Sequence, residues 1–541
     1  MADQQVHPDS GPLPGAHLRH IDPQLGPEID EKSPGERAPA FEPRTIRIRW
    51  TGFAVGILLA LLIYVAMPGD VPHEAKVTAA IAALMGVWWM TEAIPIPATA
   101  LLPLIVFPLL SGVGINAIGA SYGNSIIFLF MGGFMLALAM QRWNLHRRIA
   151  LVTVRAMGTS PSMVVAGFMA ATGFLTMWVS NTATAVMMIP IGVSVLMLVA
   201  KMSGDMDVDA SQLDADPESE EVKQFVVKSN FGTALMLGIA YAASVGSLAT
   251  IIGTPPNTLL VGYLAENHDI QIGFAQWMIV GLPLAVVFLV LTWFLLTKVL
   301  YKPEISEIPG GRELMTAELK KLGPMSQGEI RVAIIFALAA LAWVFVPLIW
   351  PSNTPISDAG IAMVVGLVLF TLPAGANKGV RLLNWASAEK LPWGVLLLFG
   401  GGLALSGQFT SSGLTEWIGN VTQGVGGLPT VLVVIILTAG IIFLTELTSN
   451  TATAATFLPV AGGVAMGIGV DPMLLAIPVA LAATCAFMLP VATPPNAIVY
   501  GSGYVTIGQM VKAGFWLNII GIFLITATVM TIATWVFSIV Y

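Results

Sequence analysis

The sequence is poor in charge, cysteine and histidine. Charged residues make up 10% of its 541 residues, whereas soluble domains carry about 25%. The lone Cys485 excludes an internal disulfide bond and a cysteine-based zinc cluster. The six histidines all lie in predicted tails or connections, so the apolar runs contain no histidine for catalysis or metal binding. These absences argue against a soluble protein and against a histidine- or cysteine-based active site.

Long apolar runs take the place of the missing charge. Hydrophobic residues make up 56% of the chain, and segments 161–200 and 274–297 contain no charged residue. Runs of about 18 or more apolar residues predict membrane-spanning helices, and the short alternating segments of a β-barrel are absent. We predict an all-α polytopic membrane protein with about 11 membrane-spanning helices. Their expected positions are near 50–67, 77–94, 97–113, 123–141, 229–264, 274–298, 330–350, 357–374, 392–410, 473–504 and 513–540.

Two further apolar runs are too long for one span, and both carry the hexapeptide SNTATA near the middle. The hexapeptide occupies 180–185 in run 161–202 and 449–454 in run 428–469. Because one span needs about 20 residues, each run predicts a helical hairpin that turns at the hexapeptide. Charge does not separate a re-entrant hairpin from two full crossings, but the polar turn favours a tip held inside the membrane.

The motif TPPN also occurs twice, at 254–257 and 493–496. Two consecutive prolines remove two backbone donors and push the preceding residue out of the helical conformation. We therefore predict broken helices over 229–264 and 473–504, each following one hairpin in the same order along the chain.

A hairpin tip and a helix break present complementary groups. At the tip, the first arm ends in carbonyl oxygens, and the second arm begins with free N–H groups at the positive end of its dipole. Ser, Asn and Thr side chains can bind a cation through oxygen and an anion through N–H or O–H. Carbonyl groups around Gly253 and Ala492 can complete an oxygen cage for a cation. Asn257 and Asn496 are expected to stitch the broken backbone together.

The distribution of lysine and arginine predicts the orientation. With a cytoplasmic amino terminus and two hairpins, every lysine and arginine except Lys76 falls on the inner side or at the edge of a span. The carboxyl terminus then lies outside. Five spans, from 229–264 to 392–410, separate the hairpins, so the two halves are inverted in the membrane. Inverted repeats interrupted at matching places are typical of secondary transporters, whose site lies at the repeat interface.

The predicted site has little charge of its own. The membrane portions of the hairpins and breaks contain no lysine or arginine, so a bound anion would depend on helix N-termini, amides, hydroxyls and co-bound cations. Glu446 lies beside the second hexapeptide. It could carry a proton, support a second cation site or act as a hydrogen-bonded strut, and the sequence leaves these roles open.

These motifs resemble the divalent anion/sodium symporter family, which includes dicarboxylate, citrate and sulfate carriers. The resemblance covers nearly everything after residue 50. It rests on the two SNT and two TPPN motifs and on the stretches WWMTEAIPIPATALLP (88–103), WNLHRRIAL (143–151) and PWGVLLLFGGGLAL (392–405).

The resemblance implies a homodimer in which each protomer has a scaffold and a mobile transport unit that slides in an elevator-like motion. The scaffold would comprise 50–160 and 330–427. The transport unit would comprise 161–300, with hairpin 161–202 and broken helix 229–264, and 428–541, with hairpin 428–469 and broken helix 473–504. Composition predicts that 1–49 is a disordered cytoplasmic tail, 204–223 an acidic solvated loop and 301–329 a cytoplasmic connector.

The resemblance also implies a set of binding residues and at least two sodium sites per protomer. The first sodium site would use Thr176, Ser180, Asn181 and Gly253, and the second would use Thr445, Thr448, Asn450 and Ala492. The substrate carboxylates would contact Asn181, Thr182, Thr254, Ser449, Asn450, Thr451, Thr493 and Pro494.

We therefore expect a sodium-coupled importer of a small dianionic carboxylate such as succinate, malate or fumarate. It would lie in the lipid bilayer of the inner or plasma membrane, with no nucleic-acid partner. Alternatives within transport are a sodium-independent dicarboxylate exchanger and a sodium-coupled sulfate or citrate carrier. An intramembrane enzyme is disfavoured because the spans offer no usual nucleophile–base pair or metal ligand set, and a channel is disfavoured by the inverted hairpins.

Overall fold

The computed structural model describes residues 42–158, 160–203, 227, 229–308, 311–350 and 354–540. Regular structure in these ranges is helical; no strand occurs in them, and one isolated bridge pairs Pro373 with Arg381. The tail as far as residue 41 and the acidic loop at 204–223 lie outside the described residues. The chain divides into two compact units after residue 48. Of the described residues, only 42–48 belong to the first unit.

The helices of the first half have the following bounds: Pro43–Ala66, His73–Thr91, Ile96–Thr99, Pro103–Leu110, Ile115–Ala120, Ser125–Arg142, Leu145–Ala156, Pro161–Thr176, Asn181–Ser203, Asn230–Ser247, Pro255–His268 and Phe274–Phe294, which Leu295–Leu300 continues as a π-helix. Those of the second half are Gly311–Lys321, Gln327–Ile349, Asp358–Thr371, Trp385–Ala388, Trp393–Ser411, Leu414–Thr422, Thr430–Thr445, Asn450–Ile468, Pro472–Thr484, Pro494–Gly501, Ile507–Thr528 and Thr534–Phe537.

Eight of the described helices are long and apolar enough to cross a membrane. They are Pro43–Ala66, Ile115–Arg142, Asn181–Val199, Phe274–Leu300, Gln327–Ile349, Trp393–Ser411, Asn450–Ile468 and Ile507–Phe537. Shorter apolar helices include the first arms of both hairpins, Pro161–Thr176 and Thr430–Thr445. Because Leu58, Leu62 and Val65 are largely exposed on the first of the eight helices, that helix presents an apolar face suited to lipid.

Two segments begin or divide differently from the sequence prediction. The first helix begins at Pro43, so residues 43–49, which we assigned to the tail, are helical. The single helix expected over 97–113 is instead two short helices, Ile96–Thr99 and Pro103–Leu110, separated by a turn. Pro103 cannot donate a backbone hydrogen bond to the preceding turn, so a new helix begins there.

Both hairpins turn at the serine–asparagine–threonine triplets. The first arm of one ends at Thr176 and its second arm begins at Asn181; the other turns between Thr445 and Asn450. From here on, these two elements are the first hairpin and the second hairpin.

Both broken helices are interrupted in front of TPPN. The first stops at Ser247 and restarts at Pro255, and the second stops at Thr484 and restarts at Pro494. Thr254 and Thr493, which precede the prolines, have extended backbone with φ of −145° and −139°. This is the conformation that a following proline imposes. We call residues 248–254 the first break and residues 485–493 the second break.

The two halves of the chain interlock around these breaks. Helix Pro255–His268 packs against Asn450–Ile468 and Pro472–Thr484, while Pro494–Gly501 packs against Asn230–Ser247 and Asn181–Ser203. Every residue from Phe231 to Ser247 and from Met473 to Thr484 is buried. Helices that are apolar on all sides belong in the interior, so both broken helices are buried in the protein up to the start of their breaks.

Polar side chains connect the end of the first broken helix to two neighbouring spans. Glu266 accepts hydrogen bonds from Ser121 Oγ (2.8 Å) and Asn124 Nδ2 (3.3 Å), which lie in the span Ile115–Arg142. Asn267 donates to Ser406 Oγ (2.9 Å) and accepts from Thr410 Oγ1 (3.1 Å), which lie in Trp393–Ser411. In the sequence-based division, these bonds join the transport unit to the scaffold.

A basic helix is joined to the connector by ion pairs. Arg148 of Leu145–Ala156 bonds both carboxylate oxygens of the buried Glu329, at 2.5 and 3.1 Å. The neighbouring Arg147 contacts Glu318 at 3.3 Å. A two-pronged arginine–carboxylate contact fixes orientation as well as distance, so this helix is held firmly beside the link between the halves.

Candidate binding site at the helix breaks

The turn of the first hairpin is bonded to the first break. Thr250 in the break donates its hydroxyl to the carbonyl oxygen of Met177 in the turn, at 2.6 Å. Asn181 Nδ2, at the start of the second arm, lies 3.4 Å from Ser247 Oγ at the end of the helix before the break. Ser180 Oγ accepts from the N–H of Ala183 at 3.3 Å, as an N-cap residue does.

The turn of the second hairpin is bonded to the second broken helix in a different way. Thr445 Oγ1 lies 2.8 Å from Asn450 Oδ1 and 3.0 Å from the carbonyl oxygen of Ala483. The Thr448 and Thr453 hydroxyls lie 2.7 Å apart. The predicted residues Thr445, Thr448 and Asn450 therefore belong to one hydrogen-bonded turn.

Glu446 is engaged by hydrogen-bond donors on the second break. Its carboxylate accepts from the backbone N–H groups of Phe487, Met488 and Leu489 at 2.7 to 3.1 Å. Asn518 Nδ2 adds a fourth donor at 2.8 Å. All four contacts use the carboxylate oxygens as acceptors, so the side chain ties the second turn to the second break. Of the three roles that the sequence left open, this geometry favours the hydrogen-bonded strut.

The two asparagines of the TPPN motifs bridge their own breaks. Asn257 Nδ2 donates to the carbonyl oxygens of Leu248 (3.3 Å) and Thr250 (2.9 Å). Asn496 Nδ2 donates to the carbonyl oxygens of Ala486 and Leu489, both at 3.2 Å. These bonds confirm the stitching role expected from the sequence. They satisfy carbonyl groups that the interrupted helix leaves without a helical donor.

The two halves meet where the breaks approach each other. Thr254 Oγ1 in the first break lies 3.4 Å from Thr484 Oγ1 at the end of the helix before the second break, and both side chains are buried. The structure therefore brings the two turn-and-break pairs together.

The predicted substrate residues differ in exposure. Thr254 and Thr493 are buried, while Asn181, Ser449, Asn450 and Thr451 are half-buried. Thr182 and Pro494 are exposed. The second arms begin at Asn181 and Asn450, so both place the N–H groups of a helix N-terminus at this end of the hairpin.

The predicted cation residues include one position where only glycine fits. A Cβ atom on Gly253 would overlap the carbonyl oxygen of Ser247. Ala492, its counterpart in the second half, is buried. Thr176 donates to the carbonyl oxygens of Thr172 (3.0 Å) and Gly173 (3.1 Å) in its own helix. Its hydroxyl hydrogen is therefore used inside the arm, although its oxygen can still accept or coordinate.

Several buried oxygens near the turn of the first hairpin and the first broken helix have no hydrogen-bond partner among the described residues. They are Asn181 Oδ1, Thr184 Oγ1, Ser244 Oγ and Asn257 Oδ1. Buried polar atoms are rarely left without a partner unless a ligand, ion or water completes them. A neutral amide oxygen is a ligand for a hard cation, so the unpartnered Asn181 Oδ1, on a predicted cation residue, is available to a sodium ion.

Sequence reasoning missed four residues of this region: Ser247, Thr250, Thr484 and Asn518. Ser244, Ser247 and Thr250 recur every three residues just before the first TPPN. That spacing on an apolar helix is the signal that could have revealed the first two. Thr484 and Asn518 are single polar residues in apolar runs, and only the packing of the two halves gives them partners.

The chain is similar to known membrane transporters. The family model for the sodium:sulfate symporter transmembrane region matches residues 48–539. A relative named sodium-dependent dicarboxylate transporter SdcS, from Staphylococcus saprophyticus, is 42% identical over 490 residues, covering 88% of this chain and 91% of that protein. A protein of the same name from Staphylococcus aureus is 42% identical over 483 residues, covering 88% and 90%.

A solved structure shows a related architecture. The YdaH transporter of Alcanivorax borkumensis aligns with a TM-score of 0.51 and 13% sequence identity, over 85% of this chain and 98% of that chain. At that identity the likeness concerns the fold alone.

Proposed function

The chain belongs to the sodium:sulfate symporter family, and from this premise we propose that it is a secondary active transporter that couples sodium to the import of a small dianionic carboxylate. Succinate, malate and fumarate are the expected substrates. The named relatives, at 42% identity over most of both chains, support a dicarboxylate as the substrate class.

The observation that carries this proposal is the meeting of the two breaks at Thr254 and Thr484. Each break is bonded to the turn of its own hairpin, so the two turns and the two breaks come together in one region. The hairpin turns and breaks contain no lysine or arginine, and Glu446 is held by four donors. A dianion placed there needs charge compensation, and sodium ions bound at the two turns would supply it.

We propose two sodium sites, one at each turn. Thr176, Ser180, Asn181 and Gly253 would form the first, and Thr445, Thr448, Asn450 and Ala492 the second. The unpartnered Asn181 Oδ1 supports the first assignment. Two bonds across the second turn, from Thr445 to Asn450 and between Thr448 and Thr453, support the second assignment.

The dianion would lie between the two turns. Its carboxylates would accept from the N-terminal N–H groups of both second arms and from nearby polar side chains. The proposed contacts are Asn181, Thr182, Thr254, Ser449, Asn450, Thr451, Thr493 and Pro494. The exposed Thr182 and Pro494 fit positions at the mouth of such a site.

We propose that transport proceeds by an elevator motion in a homodimer in the plasma membrane. Hairpins 161–202 and 428–469 would be re-entrant and would move with the broken helices against the remaining spans. The amino terminus would be cytoplasmic and the carboxyl terminus outside. If more sodium charge enters than substrate charge, each net charge gains about 2.3 kcal/mol per 100 mV of inward-negative potential.

Uptake into proteoliposomes tests the proposed function. Purified protein is reconstituted, and labelled succinate uptake is compared under an inward sodium gradient and an inward choline gradient. Saturable uptake that needs sodium and is inhibited by malate and fumarate is expected. Uptake that ignores sodium but requires internal dicarboxylate would establish an exchanger, and uptake inhibited only by sulfate or citrate would change the substrate class.

A further inference from the structure

A short relay of hydrogen bonds runs from the end of helix Asn230–Ser247, just before the first break, into the first hairpin. Ser247 Oγ donates to the carbonyl oxygen of Ser244 at 2.7 Å. Asn181 Nδ2 in turn lies 3.4 Å from Ser247 Oγ. Ser247 is fully buried, and the other end of the amide, Asn181 Oδ1, has no partner among the described residues.

This relay fixes which way the Asn181 amide faces. A serine hydroxyl has one hydrogen, and the short bond to Ser244 commits it. The Ser247 oxygen can therefore only accept from Asn181, so the NH2 group faces Ser247. The amide oxygen then faces away from Ser247, where it is buried and unpartnered among the described residues and thus open to a cation.

We propose that Ser247 is a positioning residue of the first sodium site: it holds the Asn181 amide so that its oxygen faces the cation. This inference rests on the proposed function, because it assigns a role within the sodium site proposed above. It adds a residue that the SNT and TPPN motifs do not contain.

In the second half of the protein, a different group contacts the amide of the turn asparagine. Ser247 aligns with Ala486 when the TPPN motifs are matched, and alanine has no hydroxyl. There, Thr445 Oγ1 lies 2.8 Å from Asn450 Oδ1 and orients that amide from within the hairpin. The matching Thr176 bonds its own helix instead, so Asn181 needs an orienting group from outside the hairpin.

Close packing explains how Ser247 reaches the hairpin. A Cβ atom on Gly246 would overlap the backbone of Gly173, so the first arm and the first broken helix touch along their backbones. This contact lies one residue before Ser247 and three residues before Thr176. It brings the end of one helix within reach of the start of the second arm.

Removing the Ser247 hydroxyl is expected to weaken sodium binding without removing a proposed sodium ligand. In Ser247→Ala, Asn181 Nδ2 loses its partner and the amide can rotate its oxygen away from the cation. We expect the half-saturating sodium concentration to rise about three- to tenfold, the range that corresponds to one hydrogen bond. The maximal rate and the KM for dicarboxylate at saturating sodium should stay near wild type.

The test compares Ser247→Ala with Ser244→Ala in two measurements. The first is the sodium dependence of succinate uptake. The second is the sodium-dependent rise in Tm of the purified protein without substrate. Ser244 is a matched control because it is also buried, lies one turn away and contributes only its backbone carbonyl to the relay. The sodium half-saturation should shift in Ser247→Ala alone, and in both measurements.

Two outcomes would overturn the positioning role. Wild-type sodium dependence in Ser247→Ala would show that the hydroxyl does not orient Asn181. An equal shift in Ser244→Ala would show that any hydroxyl loss at this helix end has the same effect. Failure of the wild type to take up dicarboxylate with sodium would instead refute the proposed function, while the Tm measurement would still test Ser247.

Discussion

The hydroxyl oxygens of Thr254 and Thr484 lie 3.4 Å apart, although the two residues belong to opposite halves of the chain. Each stands beside the interruption of a broken helix, and each interruption is bonded to a hairpin turn. This contact is the reason to treat the two motif pairs as one site between the two halves of the chain.

The asparagines of the two turns should both be essential. We expect Asn181→Ala and Asn450→Ala each to lower sodium-stimulated succinate uptake by more than about tenfold, because each removes an amide from both a cation and a substrate position. Asn420→Ala, an exposed asparagine on helix Leu414–Thr422, is the control and should behave as wild type. Near-normal uptake by either turn variant, at equal protein level in the membrane, would refute its assigned role.

The asparagines that bridge the breaks should matter for stability. Asn257→Ala and Asn496→Ala each remove two bonds to buried carbonyl groups. We expect each to lower the free energy of unfolding by about 1–3 kcal/mol and to lower the Tm in sodium-free detergent solution. A Tm equal to that of wild type in both variants would show that the breaks hold their shape without these side chains.

Glu446 should act as a fixed acceptor and not as a proton carrier. In Glu446→Gln, an NH2 group replaces one oxygen in a place where all four observed partners are donors. We expect a loss of stability of about 1–3 kcal/mol or more and reduced uptake at every sodium concentration. Asn518→Ala should cost less, since the three backbone donors remain. If Glu446→Gln were as stable as wild type but lost proton-driven uptake, the role of Glu446 as a hydrogen-bonded strut would be refuted.

Cross-linking the first broken helix to the neighbouring span Trp393–Ser411 should block an elevator-type movement. Asn267 and Thr410 are hydrogen-bonded at 3.1 Å, so cysteines at both positions can be joined by a short thiol-specific cross-linker. We expect the double variant Asn267→Cys/Thr410→Cys to lose sodium-driven uptake on cross-linking with a cleavable reagent and to regain it on reduction. The native Cys485 is buried, and each single variant serves as a control. Full uptake by the cross-linked protein would show that these two elements do not separate during transport.

The local features of the site could be read from the sequence because they depend on neighbouring residues. Proline geometry sets the breaks before residues 255 and 494, and the bridging roles of Asn257 and Asn496 follow from motif chemistry. Hydrophobic runs likewise predicted helical hairpins. The division of 97–113 was missed because apolar composition hid the effect of Pro103.

The contacts between distant segments could not be read in this way. Ser247 bonds Asn181 across 66 positions, Asn518 bonds Glu446 across 72, and Thr254 meets Thr484 across 230. These pairings depend on which helix faces pack together, and no local pattern encodes that choice. The asymmetry between Ser247 and Ala486 became meaningful only when the orientation of both turn amides was known.

Direct binding of succinate to the purified protein, measured by titration calorimetry with and without sodium, is the sharpest test of the central claim. The site has no lysine or arginine at its turns and breaks, and the proposed function assigns the compensating charge to sodium. We predict saturable binding in sodium and at least about a hundredfold weaker binding in choline, a difference of about 2.7 kcal/mol. Equal affinity in sodium and choline would contradict the account, since the dianion would then be held without the cations.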